Sequence, residues 1–451
     1  MSGSWIRILG AAAVSAALAG AQDYEAPQRS AYTGPAVLSR GEGSGFLAPF
    51  QTIRLRPFVS VQGVYASNLT SADQPDPFLP QDGFGSMLRA GVVGSKQWRS
   101  QSLLAAYNGA YIHYPHNQFF NGPEQTLNLE YRAQLTRRVM VRARQIGGTS
   151  TRPVFQMGLF QMDPQFAFVP TNEFFDNRLY FATSSGDLTV RLTPRWSANL
   201  GGDYFLNRRR STSLFGVAGA RARGDVVYRL SRSSTVGVTY NFVNFRFSRA
   251  FGGSDLHSAG VVFSQRVGRN WELSSQVVGS RIESLGLTRA AVDPEVRHLV
   301  GTDFVSEVAY RIQYMPQLGG RVTRRLRRGS LAVSANRSVI PGNGVFLTSR
   351  ITTLNALYSH HYSSRLSFFG GGGWDRLEAI TQDLRPFGGY SGSGGMAYSL
   401  DRFLSGLSLT ANLAWMQRSL QRESNGPGRR DWMMATVGLA WSPGEYPLAF
   451  W

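Results

Sequence analysis

Six histidines, His113, His116, His257, His298, His360 and His361, are the side chains best suited to acid–base or metal chemistry in this chain. His113 and His116 flank the tip of a connection, and His360 and His361 fall at a short turn. Neither pair has a ligand set of carboxylates beside it, and the chain contains no cysteine, so the sequence indicates no metal site. Hydrolysis by Ser–His or paired Asp and His groups needs a histidine near the acid, and none is placed beside Asp203 or Asp375. Gly370 to Gly373 precedes no helical pattern, so it is not a phosphate cradle; in a strand such a run permits close packing or a bend. No catalytic residue and no cofactor follow from these motifs.

The charge is more informative. Lys plus Arg number 47 against 28 Asp plus Glu, a formal +19, and every cation except Lys96 is arginine. Twelve of them, from Lys96 and Arg99 to Arg365 and Arg402, lie in or beside short turn-like stretches. There their heads reach lipid phosphates while their stems cover apolar surface. Without a helix or an aromatic platform beside it, this charge does not indicate nucleic-acid binding. A second set alternates along extended segments: Arg132, Arg142, Arg144, Arg191, Arg221, Arg223 and Arg229 with Glu130, Asp187, Asp203, Asp225 and Glu272. Seven against five makes a mildly basic face. If Leu135 and Val139 face each other across a turn, Glu130 falls opposite Arg144 and Arg132 opposite Arg142. Cross-strand pairs of opposite charge contribute about 0.2–1 kcal/mol each. The set reads equally as structural bracing and as a wall tuned for anionic solutes.

The elements that must position these residues are strands. Leu127, Leu129, Tyr131, Ala133 and Leu135 alternate with Asn128, Glu130, Arg132 and Gln134. Trp196 to Leu206 and Leu407 to Trp415 repeat the pattern, and aromatic residues sit near the ends of the apolar stripes. Rings with one wet end belong at a membrane interface, whereas a soluble sandwich would bury them in a common core. The spacing predicts a transmembrane antiparallel up-and-down β-barrel of about 18 strands, with 16 possible because Glu283 to Leu326 is ambiguous. Thr302 to Gln313 reads as a strand of its own, part of a long twelfth strand, or a loop hairpin. Short arginine-bearing turns are expected on the periplasmic side and longer connections outside.

At the start, Arg7, the apolar stretch Ile8 to Leu18 and Ala19-Gly20-Ala21 read as a secretory signal over residues 1–21. Residues 22–51 read as a flexible periplasmic tail, and 52–451 as the barrel. At the other end Met433, Ala435, Val437, Leu439 and Trp441 share one face of a last strand, and the chain closes on Trp451. This looks like the C-terminal signal of bacterial outer-membrane barrels, although here ten residues follow Trp441. Asn336 to Arg350 and Val437 to Trp451 resemble segments of outer-membrane β-barrel proteins of Gram-negative bacteria, porin-like in size, whose activity is unsettled. The resemblance implies an outer-membrane location among lipid and lipopolysaccharide. It also implies engagement of the barrel-assembly machinery through the last strand.

One long segment is too apolar for an exposed loop. Gly148 to Asn177 holds Phe155, Phe160, Phe166 and Phe168 together with Asp163 and Asp176, and is expected to fold inward as a constriction or to cap the extracellular rim. The leading function is a channel, or a pore for export or uptake, passing solutes or an anionic polymer through a mildly basic lumen. A structural or surface-anchoring barrel is the second reading, and a barrel hydrolase the third.

Overall fold

The computed structural model describes residues 35, 37–40, 53–70, 81–151, 175, 178–291, 304–382, 384–421 and 427–443. The expected signal segment, residues 1–21, and the terminal Trp451 lie outside them. The wall begins with β1 (Ile53–Leu69), β2 (Gln81–Gln97), β3 (Gln101–His113), β4 (Gly122–Gln134), β5 (Val139–Ser150) and β6 (Leu179–Arg191). It continues through β7 (Trp196–Arg209), β8 (Gly216–Arg229), β9 (Ser234–Ser248), β10 (Gly253–Val267), β11 (Trp271–Ala291) and β12 (Phe304–Leu326). It ends with β13 (Gly329–Ile340), β14 (Ser349–His361), β15 (Leu366–Ala379), β16 (Phe387–Ser399), β17 (Leu407–Gln421) and β18 (Pro427–Trp441). Each strand is antiparallel to the next, and β18 returns to pair with β1, from Val59 opposite Trp441 to Ser67 opposite Met433. The sheet is closed, so no edge is left along the wall.

Alternation decides which way each side chain points. Leu200, Val238, Val261, Val277, Leu354, Val437 and Leu439 are exposed on the outer face, while the residues between them are buried within. The outer face carries rings at two levels. Trp196 lies 4.9 Å from Tyr228 near the short-turn end, and Tyr65 lies 4.7 Å from Phe84 near the other. An apolar band between two aromatic levels is the surface of a barrel that spans a bilayer. Leu200→Arg places a guanidinium in that band and is expected to destabilise the barrel by about 2–4 kcal/mol at mid-bilayer depth. Urea unfolding in lipid vesicles measures it, and a cost below about 0.5 kcal/mol, the usual range for exposed sites in water, contradicts the outward placement.

The arginine-bearing turns close by a recurring hydroxyl contact. Thr136 Oγ1 accepts from the backbone N–H of Arg138 and Val139, both at 3.1 Å, and Thr193 Oγ1 does the same for Arg195 and Trp196. Ser363 repeats it for Arg365 and Leu366. Such side-chain-to-backbone bonds fold a tight turn without using a ladder group. At the turn between β16 and β17, Asp401 accepts from the Ser399 hydroxyl and from the Gly406 N–H, which hold its carboxyl below the usual range. Gly406 has φ +79°, the left-handed conformation that favours glycine.

Within the ambiguous region, Glu283 to Ala291 ends β11, and Phe304 to Gln313 is the first part of one long twelfth strand. β12 spans 23 residues and pairs with β11 from Phe304 to Arg324, but with β13 only from Leu318 onward. The β11–β12 hairpin therefore stands well beyond the end of β13. Eighteen strands, rather than sixteen, form the wall.

Candidate functional site

The register across the β4–β5 turn fixes the first cluster. Leu135 N–H donates to Val139 O at 3.0 Å, and this places Glu130 opposite Arg144 and Arg132 opposite Arg142. All four point inward. Glu130 accepts from Arg142 Nε at 2.6 Å and Arg132 Nε at 2.7 Å, with Arg144 Nε at 3.8 Å. Its side chain is 2% exposed, so one buried carboxylate holds three guanidinium groups together. Removing it leaves like charges unpaired in a poorly solvated place. Glu130→Gln keeps the shape and is expected to cost about 3–5 kcal/mol of stability. A vesicle-unfolding cost under about 1 kcal/mol, the range of exposed pairs, would show the cluster to be well solvated.

The neighbouring strands continue this wall in rows. Asp187, Gly201 and Arg223 lie side by side on β6, β7 and β8. A Cβ on Gly201 would lie 2.3 Å from Asp187 Oδ1 and 2.6 Å from Arg223 Nε. The missing side chain is what lets Asp187 and Arg223 pair across an intervening strand. The row above joins Asp203 to Arg221, and the row below runs Thr189, Asn199 and Asp225, with Thr189 donating to Asn199 Oδ1 at 2.9 Å. The same device recurs on the other side of the barrel. Asp375, Gly389 and Arg418 form a row across β15, β16 and β17, and Arg418 pairs with Asp375 while lying over the Phe387 ring at 5.7 Å. Not every group is satisfied. Asp203 Oδ1, Asp225 Oδ1 and the Nε and Nη1 of Arg223 are buried with no hydrogen-bond partner among the described residues.

A connection between β13 and β14, residues 341–348, folds inward at the extracellular end. It is buried almost throughout. Gly342 and Gly344 have φ of +75° and +91°, and Asn343 Oδ1 accepts from the N–H of Phe346 at 3.2 Å, which together reverse the chain. Gly344 O accepts from Phe215 N–H at 2.9 Å, and Thr348 Oγ1 lies 2.6 Å from Ser254 Oγ on β10. The guanidinium of Arg209 lies so close to Gly344 that a Cβ there would meet Nε at 2.5 Å. Phe346 packs with Ile340, Ile351, Leu377 and Phe387. The segment thus spans from β13–β16 to β7, β8 and β10 through the lumen.

A second segment lies inside the barrel towards the opposite end. Within residues 22–51, read from composition as a tail, positions 35 and 37–40 are described, and Leu38–Arg40 is a single 3₁₀ turn. Val37, 2% exposed, packs on the inward-facing Val227 of β8 and Val262 of β10. Gly237 lies between those two on β9 and offers no side chain. The chain is therefore held inside the barrel here, two residues from the end of β8.

The sequence-derived wall residues Glu130, Arg132, Arg142, Arg144, Arg191, Asp203, Arg221, Arg223, Asp225 and Arg229 all lie on the inner face of β4 to β8. Arg191 and Arg229 stand at the short-turn rim, apart from the buried rows. The expected constriction residues Phe155, Phe160, Asp163, Phe166, Phe168 and Asp176 lie outside the described residues. From that segment Phe175 is described, and it packs against the Phe346 cluster. The inward connection 341–348 and the Asp375–Arg418 pair were not singled out from sequence. The run Val345-Phe-Leu347 after a glycine turn was the available signal, by the same apolar test applied to 148–177. Among the described residues no three His, Asp or Glu side chains gather to hold a metal ion.

No family model matches the chain, and no curated protein matches it. Among solved structures the chain is similar to Pseudomonas aeruginosa OccK2 (OpdF) in complex with glucuronate, at 10% identity and a TM-score of 0.41, with 87% of this chain and 100% of that chain covered. It is similar to Pseudomonas aeruginosa OpdQ at 11% identity and a TM-score of 0.40, covering 86% of this chain and 97% of that one. A BenF-like porin from Pseudomonas fluorescens Pf-5 is likewise similar, at 10% identity and a TM-score of 0.41, over 86% of this chain and 99% of that one.

Proposed function

We propose that this protein is an outer-membrane channel that passes small polar solutes and favours anions. The observation that carries the reading is the contrast between its two faces. Outside lies an apolar band between aromatic levels; inside, β4 to β8 present eight arginines, Arg209 among them, against Glu124, Glu130, Asp187, Asp203 and Asp225, eight minus five or +3. A wall built only for bracing would match its charges and satisfy its donors. Here cations are in excess, buried groups of Arg223, Asp203 and Asp225 are left without a hydrogen-bond partner among the described residues, and Arg132, 32% exposed, presents its guanidinium where a solute passes.

Single-channel recording in planar bilayers tests this. The protein is expected to conduct and, across a KCl gradient, to give a reversal potential on the anion side. R132Q/R221Q is expected to move that potential towards cations. A correctly inserted barrel that never conducts would favour the anchoring reading instead.

A further inference from the structure

Above the outer aromatic level of β13 to β16 the outward face changes character. Leu354 is paired with Trp374 and Trp374 with Tyr390, and these close the apolar band. The next outward row is Arg337, Thr352, Arg376 and Gly388, and beyond it lie Arg350 and Glu378, whereas Val339 is buried in the inward-facing cluster of Phe205, Phe245 and Ile282. Arg350 and Arg376 therefore share one carboxylate, and Arg337 lies in the same patch, three cations minus one anion or +2, on a surface that faces lipid just below. Glu378 accepts from Arg350 Nη2 and, at 2.8 Å, from Arg376 Nε. Arg337 Nε is buried with no hydrogen-bond partner among the described residues. Gly388 has no side chain to cover Arg376, which is 52% exposed.

Like charges crowded this closely are costly unless an anion joins them. Planar guanidinium groups suit an anion with several acceptor oxygens. The height above Trp374 is where headgroups begin, and the ridge of Leu354, Trp374 and Tyr390 directly beneath suits acyl chains. The geometry points to a lipopolysaccharide-phosphate site: Arg337, Arg350 and Arg376 hold a phosphate of the glycolipid, whose acyl chains run down over Leu354 and Trp374. Glu378 spaces the guanidinium groups of Arg350 and Arg376 and offsets part of their charge. The site rests on the outer-membrane reading above, but not on conduction.

The full-length protein in detergent micelles is titrated with purified lipopolysaccharide, with the same glycolipid stripped of phosphate, and with inorganic phosphate. R337Q/R350Q/R376Q is expected to bind lipopolysaccharide about tenfold or more weakly than the parent. R99Q/R269Q/R402Q, with the same loss of charge in the short turns, is expected to bind like the parent. Heat-dependent migration in SDS confirms a folded barrel for each, which separates failure of this site from failure of the barrel reading. If the triple variant does not fold, R376Q alone, at the most exposed of the three, is expected to weaken binding measurably. Equal binding by the triple variant or R376Q and the parent overturns the site, as does equal binding of the phosphate-free glycolipid. Inorganic phosphate bound as tightly as lipopolysaccharide overturns the assignment to a lipid.

Discussion

A chain ending at Met434 does not yield a membrane-resident barrel that resists SDS unfolding. Of the nine residue pairs that join β18 to β1, seven involve residues from Ala435 to Trp441. Their loss leaves backbone N–H and C=O groups of β1 and β17 facing hydrocarbon, at several kcal/mol for each unsatisfied group. No rearrangement of side chains repairs this, because the deficit is in the backbone. Ending the chain after Ser442 is the informative comparison. It keeps the whole ladder and the contact from Ser442 Oγ to Pro57 O at 3.1 Å, so it separates closure of the wall from recognition of a terminal aromatic. Recovery of the Met434 chain from outer membranes in SDS-resistant form would refute the closing role of β18.

Replacing residues 343–347 by two glycines raises single-channel conductance several-fold. The segment removes its own cross-section from the lumen and anchors there through Gly344 O to Phe215 and through Phe346 to Phe387. A shortened connection has neither anchor, yet β13 and β14 keep all twelve of their pairs from Gly329 to Ile340. The wall is therefore expected to fold unchanged. Deleting residues 22–45 tests the contact at the other end in the same recording, since it removes Val37 from Val227 and Val262. Unchanged conductance in the 343–347 variant, with heat-modifiable migration intact, means that the narrowest point lies elsewhere.

The wall was readable in the sequence because alternation is a local signal. Val437 and Thr436 differ in destination by one position, and the last-strand faces follow from period two alone. The Glu130–Arg144 register was readable because a tight turn leaves one way to align β4 with β5. The upper limit of the membrane was not readable. Val308, Tyr310, Ile312 and Tyr314 of β12 alternate in the same manner as Leu318 and Val322, and all are exposed, so periodicity continues where β13 has already ended. Pairs that skip a strand were equally hidden. Asp187 meets Arg223 only because Gly201 stands between them, and a glycine's meaning depends on neighbours in two other strands. The inward turn at 342–344 used residue types that serve exposed turns as well, and only its burial distinguishes the two.

The pairing order also sets a tempo. Along the wall each strand lies beside the strand that precedes and follows it in the chain, with one exception: β1 meets β18, whose partners are between 366 (433 − 67) and 382 (441 − 59) positions apart. Hairpins form in about 1–10 μs once their turns are set. Joining ends more than 360 residues apart costs about 3 kcal/mol more in chain entropy than closing a ten-residue loop. Seam closure is thus the slow, single-molecule step of assembly, and until it occurs two bare strand edges compete for any partner within reach. Substitutions such as Gly438→Val, where a Cβ would sit 2.0 Å from Val61 O, act on that step first. They lengthen the vulnerable interval, and the toll appears as material lost to aggregation before it appears as a weaker finished barrel.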